Sequence, residues 1–133
     1  MITPSALALY ADLAQALGLP ALEPDAAGGV QLTVGSEPAA STVYLWGQSD
    51  GFLLIAAPAA PLPRQPDYAV VQWLLHRNFY DSKLAPFRIA TDAGGTIVLW
   101  GRVPVEGLTG AALAGLVDAV AGEARRIREE VQG

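Results

Sequence analysis

Apolar side chains recur along the chain at two different spacings, and the switching between those spacings predicts the architecture. Leu7, Tyr10, Ala14 and Leu17 follow one another at three- and four-residue steps, with Leu9 and Leu13 beside them. That is the period of a helix burying one stripe. Thr3 and Pro4 stand where a cap and a first helical proline belong, and Gly18 and Pro20 end the run. After the Ala26-Ala27-Gly28-Gly29 loop, residues 30–34 alternate with period two and read as a strand. Residues 42–47 and 52–57 are two more strands, joined by Gln48-Ser49-Asp50-Gly51, the turn chemistry of a hairpin.

Four prolines between Ala57 and Pro66 predict an extended connector, because proline continues neither a ladder nor a helix. From Asp67 to Tyr80, Tyr68, Val71, Leu74, Leu75 and Phe79 recover the helical step. Residues 87–91 and 96–102 form a second hairpin around Asp92-Ala93-Gly94-Gly95, and Val103-Pro104-Val105 leaves the sheet. Thr109 then caps a long helix with a stripe of Leu113, Leu116, Val117, Val120, Ala124, Ile127 and Val131. The predicted order is α-β-β-β-α-β-β-α: one α+β domain over residues 1–133, a twisted antiparallel sheet with helices packed on it.

The strand pattern predicts a sheet that is apolar on both faces. Tyr44 and Trp46 alternate with Val43 and Leu45, and Val98 and Trp100 with Ile97 and Leu99. The first and last helices can cover one face. The other is left for the second helix, a second subunit or a bound chain.

Composition sharpens this picture. Hydrophobic residues are 52% of the 133 and charged ones 16%, a balance that leaves apolar surface over for an oligomer or a partner. A net charge of −5 and a pI near 4.6 lack the basic footprint that nucleic acid requires. Cysteine is absent, which excludes disulfides and thiolate metal sites and fits a reducing compartment. The apolar stretch from Leu7 to Leu19 carries Asp12 and Gln15, follows no basic region and is too short to span a bilayer. We expect neither a signal peptide nor membrane insertion.

Candidate chemistry is sparse. His76 is the only histidine, and no serine sits in a GxSxG elbow, so no nucleophile–base–acid set forms. Asp50 and Asp92 have turn roles, and Glu123, Glu129 and Glu130 share a charged helix face with Arg125, Arg126 and Arg128. Neither glycine pair has phosphate-loop spacing. The expectation is a protein without catalytic residues, metal or cofactor, whose large side chains Tyr44, Trp46, Trp73, Phe79, Tyr80 and Trp100 serve contacts. The competing reading is a small-ligand-binding or enzymatic α+β domain with a pocket on the second sheet face. A third is a regulatory subunit with a permanent, folded partner.

The element order, together with three segments, resembles the type III secretion chaperones of the CesT (Tir chaperone) family. Trp73-Leu74-Leu75-His76-Arg77-Asn78-Phe79 is similar to the family's leucine pair followed by asparagine and an apolar residue. Phe87 through Trp100 is similar to its second hairpin. Val103-Pro104-Val105-Glu106-Gly107-Leu108 is similar to its link into the last helix. The proline-rich connector and the short, alanine-rich first helix depart from the pattern. The resemblance implies a cytoplasmic bacterial homodimer that binds the N-terminal segment of a secreted effector in extended form, without hydrolysing ATP. It assigns the dimer interface to Trp73, Leu74, Phe79, Ile97 and Leu99. It assigns effector binding to the first helix and first strands, with Leu7, Leu32, Val34, Tyr44 and Trp46.

Overall fold

The computed structural model describes residues 4–35, 40–79, 84 and 86–132. Its elements are α1 (Pro4–Leu17), β1 (Gly29–Val34), β2 (Ser41–Gly47), β3 (Phe52–Pro61), α2 (Tyr68–Arg77), β4 (Arg88–Thr91), β5 (Thr96–Pro104) and α3 (Gly110–Gln132). The expected cap Thr3 and helix end Tyr80 lie outside the described residues. The strands form one antiparallel sheet in the order β1-β2-β3-β5-β4. Both hairpin turns form as their residues dictate. Asp50 accepts from the Phe52 N–H, Asp92 accepts from the Gly94 and Thr96 N–H groups, and Gly51 and Gly95 take φ of 87° and 85°, open to glycine at no steric cost. Thr109 caps α3 through its Oγ1, which accepts the Ala112 N–H at 3.1 Å.

One sheet face is closed by helices. Val30, Leu32, Val43, Leu45, Leu53, Ile55, Ile97 and Leu99 join Leu9, Tyr10 and Leu13 of α1 and Leu113, Val117, Val120, Ala124 and Ile127 of α3 in a single core. Truncating any of the large members to alanine costs about 2–5 kcal/mol. The second helix packs on this same face, at the β4 margin. Leu74 enters the core cluster, Arg77 forms an ion pair with Glu123 of α3, and the Asn78 side chain binds both backbone groups of Ile89. Among the described residues no helix covers the other face.

The connector expectation is corrected for residues 57–61, which continue β3 through Pro58 and Pro61. Pairing explains the tolerance. β2 pairs with β3 only as far as Tyr44↔Ala56, so Pro58, two residues on, meets no β2 acceptor that its missing N–H would have served. On the other side β3 stays paired with β5, with an irregularity between Pro58 and Ala60.

The β1–β2 ladder is extended at one end by a side chain. The buried Tyr10 hydroxyl donates to the Gly28 carbonyl and accepts the Gly47 N–H, both at 3.0 Å. It thereby stands in for the rung that Gly28 and Gly47 would otherwise share and ties α1 to the sheet. Burial raises the Tyr10 phenol above its ordinary value. The Gly47 N–H opposes that shift, and Tyr44 and Asp25 add to it. A phenol held neutral in the folded state while the unfolded chain ionises contributes stability below the ordinary tyrosine range, and that contribution is lost as pH climbs through and above about 10. The Tyr44 phenol, raised by burial and by Asp25, acts in the same sense. We expect Tyr10→Phe to cost about 1–3 kcal/mol at neutral pH, the cost of two buried backbone groups left without their bridge. Urea melts from about pH 8 to 11 should show a shallower alkaline loss for the variant. A wild-type stability that rises over that range would contradict the assignment.

Candidate partner-binding surfaces

Strand parity defines what the sheet offers to a partner. Side chains alternate between faces, and in an antiparallel ladder the backbone N–H and C=O pairs alternate between the two sides of the strand. The Gly29 N–H is held by Asp25 Oδ1 at 2.9 Å, and its carbonyl by the Asp25 N–H at 2.7 Å. Gly29 therefore points its polar groups away from β2, and so do Gln31 and Thr33. Both of these side chains are exposed, and their outward backbone groups have no partner among the described residues.

The opposite edge is different. By the same parity Ile89 of β4 points outward, and the Asn78 side-chain amide closes it. Asn78 Oδ1 accepts the Ile89 N–H at 2.7 Å, and Nδ2 donates to the Ile89 carbonyl at 3.1 Å. One side chain thus imitates a neighbouring strand there, which leaves β1 as the more open edge.

The uncovered face is aromatic. Across the strands, Trp46 aligns with Leu54 and Arg102, Tyr44 with Ala56, Trp100 and Arg88, and Pro58 with Val98 and Ala90. Ala56 forms a low floor between Tyr44 and Trp100. Trp46 and Trp100 are 36% and 40% exposed, far above the core level for such large groups. Their surroundings are partly fixed. Trp46 Nε1 donates to the Ala27 carbonyl at 3.0 Å, and the Tyr44 hydroxyl approaches Asp25 Oδ2 at 3.4 Å. The Tyr44 ring lies so close over Gly29 that a Cβ there would sit 2.2 Å from its hydroxyl. With these polar tips engaged, Tyr44 and Trp46 offer ring surface. At the rim Arg102 lies over the Phe52 ring, bonds Gln48 and pairs with Asp50.

A second apolar surface runs along α2. Tyr68, Leu75 and Phe79 are 80%, 66% and 52% exposed and recur at helical spacing on one side, with Gln72 and His76 between them. His76 and Phe79 stack at 6.4 Å. Arg77 turns the other way, over Trp73 and toward Glu123, so this stripe carries no carboxylate, lysine or arginine.

The structure redistributes the residues expected to make contacts. Of the expected effector-binding set, Leu7 is exposed on α1, Trp46 is exposed, and Tyr44 is half-buried on the open face. Leu32 and Val34 pair with Val43 and Ser41 on the opposite, helix-covered face, where Leu32 is buried and Val34 half-buried. The set is therefore split by the sheet, and Leu32 is corrected to a core residue. Of the expected dimer set, Phe79 is exposed and Trp73 half-buried, but Leu74 is buried and Ile97 and Leu99 are fully buried beneath the helices. These three are likewise core, because β5 turns Val98 and Trp100, rather than Ile97 and Leu99, to the open face. Leu75, Tyr68, Trp100 and the edge at Gln31 and Thr33 were absent from both sets. The hydrophobic steps in 68–79 contain Leu75 and Tyr68, whereas the open rungs needed the pairing register.

A cleft of about 620 Å3 lies between α1, the β2–β3 turn and the link into α3. Asp12, Asp50 and Glu106 line it with Leu9, Phe52 and Leu108. It is an open groove, and a smaller hollow of about 270 Å3 borders the second sheet face at Trp46.

Comparison with known proteins agrees with this geometry. The model of the Tir chaperone protein (CesT) family matches residues 8–128. No curated protein matches the chain in sequence. Among solved structures it is similar to the Yersinia pestis type III secretion chaperone SycH in complex with a stable fragment of YscM2. That match has a TM-score of 0.76 and 20% identity over 92% of this chain and 98% of the other. The ExsC–ExsE complex matches with a TM-score of 0.77 and 19% identity, covering 98% and 97%. The heterodimeric ExoU–SpcU complex of the Pseudomonas aeruginosa type III secretion system matches with a TM-score of 0.69 and 23% identity, covering 90% and 94%. With three helices on one five-stranded antiparallel sheet, and a family match running through nearly its whole length, the protein belongs to the Tir chaperone (CesT) family.

Proposed function

We propose that the protein is a cytoplasmic bacterial type III secretion chaperone, which holds an extended segment of a secreted effector by adding it to the β1 edge. The observation that carries this reading is the asymmetry of the sheet. Gln31 and Thr33 present open rungs beside an aromatic face, while the other edge is closed by Asn78 at Ile89. Strand addition takes affinity from backbone hydrogen bonds and specificity from side-chain pockets. It requires no chemistry at the site, and holding a segment extended keeps it unfolded until it is handed over. Three of the similar structures are themselves complexes with a second protein.

The same reading includes a homodimer. The uncharged α2 stripe of Tyr68, Leu75 and Phe79 suits a two-fold contact in which each copy presents the same patch. Trp73 contributes at its margin.

Two measurements test these assignments. Co-purification of the tagged protein from its source cells, followed by limited proteolysis and mass spectrometry, should yield a larger protein protected over one short segment. Thr33→Pro removes an outward N–H that has no partner among the described residues and places a ring in the path of an added strand. It should leave the fold intact and weaken capture roughly tenfold or more. Capture at wild-type strength would remove the β1 edge from the proposal.

For the dimer, Leu75→Asp places a charge on an exposed position and should yield a folded monomer by sedimentation equilibrium. A monomeric wild type at micromolar concentration would end the homodimer assignment and leave the client reading untouched.

A further inference from the structure

We infer that the cleft between α1, the β2–β3 turn and the link into α3 receives the part of the client that flanks its strand-paired stretch, and that this part carries lysine or arginine among apolar residues. The inference rests on the client reading above and adds to it a second contact with its own chemistry.

The cleft has an apolar floor and an acidic rim. Leu9 is buried and Phe52, Val105 and Leu108 are half-buried along it, while Asp12, Asp50 and Glu106 stand exposed at its margins. Among the described residues no lysine, arginine or histidine lines it. Asp50 is paired with Arg102 and closes its own turn. Asp12 on α1 and Glu106 in the link have no ion pair and no turn or cap bond among the described residues, so local structure does not account for their placing on either side of one floor. A groove with low-dielectric walls and charge of one sign focuses its field and concentrates counter-ions. At about 620 Å3 it has the size of clefts that bury ligands against apolar walls with a few polar groups. Such a groove fits a chain that lays apolar side chains on the floor and a cation at the rim, and it disfavours an acidic one.

Continuity with the sheet points to the client as that chain. The hollow of about 270 Å3 at Trp46 and the cleft share Gln48, Ser49 and Asp50. The β2–β3 turn is therefore a saddle between the uncovered face and the cleft. Ala27 and Trp46 line the far side of the hollow, and Trp46 pairs with Gly29 at the end of β1. A client paired with Gln31 and Thr33 that runs past Gly29 meets the hollow first and the cleft next. The saddle itself is firm: the Gln48 N–H donates to the Phe52 carbonyl, and Arg102 binds both the Gln48 and Asp50 side chains.

The test uses two short capped synthetic peptides, one alternating leucine with lysine and arginine, the other alternating leucine with glutamate and aspartate. Amide chemical shifts of the full chain are followed through each titration. The basic peptide should move the Asp12, Gly51, Glu106 and Leu108 amides, with an affinity that falls as salt rises, and the acidic peptide should leave them in place. The double variant Asp12→Asn and Glu106→Gln changes only exposed positions. It should melt as the wild type does and bind the basic peptide about threefold to tenfold more weakly. In the co-purified complex it should also shorten the protected client segment at one end. Equal response to both peptides, or unchanged binding and footprint in the folded double variant, overturns the inference while leaving the client reading intact. So does a lower mass of the double variant in sedimentation equilibrium with unchanged peptide binding, which assigns the cleft to a second copy. A wild type that captures no client overturns both.

Discussion

Parity governs this molecule. Once one rung of the antiparallel ladder is fixed, every second backbone group is committed to one side and every second side chain to one face. The rung at Gly29 is fixed by Asp25, and the consequences run through all five strands. Gly47 must turn its N–H toward β1, where the Tyr10 hydroxyl receives it. Ala56 bonds toward β2 and Pro58 would follow, which is where that ladder ends. Ile89 faces outward on the far edge, where Asn78 meets it. Interactions scattered over 60 residues of sequence therefore answer to one alternation.

The helices then break the symmetry of the sheet. α1 and α3 lie against one face over a core of Leu, Ile and Val, and α2 joins them at the β4 margin through Leu74 and the Arg77–Glu123 ion pair. A sheet apolar on both sides and covered on one is left with ring surface in contact with water. Two cations border that surface: Arg102 is engaged by Asp50 and Gln48, and Arg88 donates to the Phe87 carbonyl.

Much of this was legible in the sequence. Helical and strand periods placed all eight elements, and the Asp-Gly and Gly-Gly turns marked both hairpins. The alternation in residues 43–46 and 97–100 announced two apolar faces. Which face the helices would take was not legible, because Ile97 and Val98 are equally apolar and periodicity carries no sign. Ile97 and Leu99 were accordingly placed on the contact surface when they belong to the core, and Leu32 was grouped with Tyr44 across the thickness of the sheet. Pro58 and Pro61 hid the end of β3, since a rule against proline in ladders applies only where the N–H has a partner to lose. The closing of one edge by Asn78 depends on a contact between residues 11 apart in sequence that no local pattern encodes.

Edge and face divide the work of binding unequally. Two open residues offer two donors and two acceptors. At about 0.5–1.5 kcal/mol net for each hydrogen bond, a fully formed set contributes roughly 2–6 kcal/mol. Ordering a disordered segment costs about 2–5 kcal/mol or more, so the rungs by themselves leave little surplus. The remainder must come from apolar area at about 25 cal/mol per Å2, and the uncovered face around Ala56, Tyr44 and Trp100 is the adjoining surface with that area to give. A short edge next to a broad aromatic face is therefore suited to a client defined by apolar side chains and placed by a few backbone bonds. Shortening the edge further would sacrifice register before affinity, whereas polar substitution on the face would do the reverse.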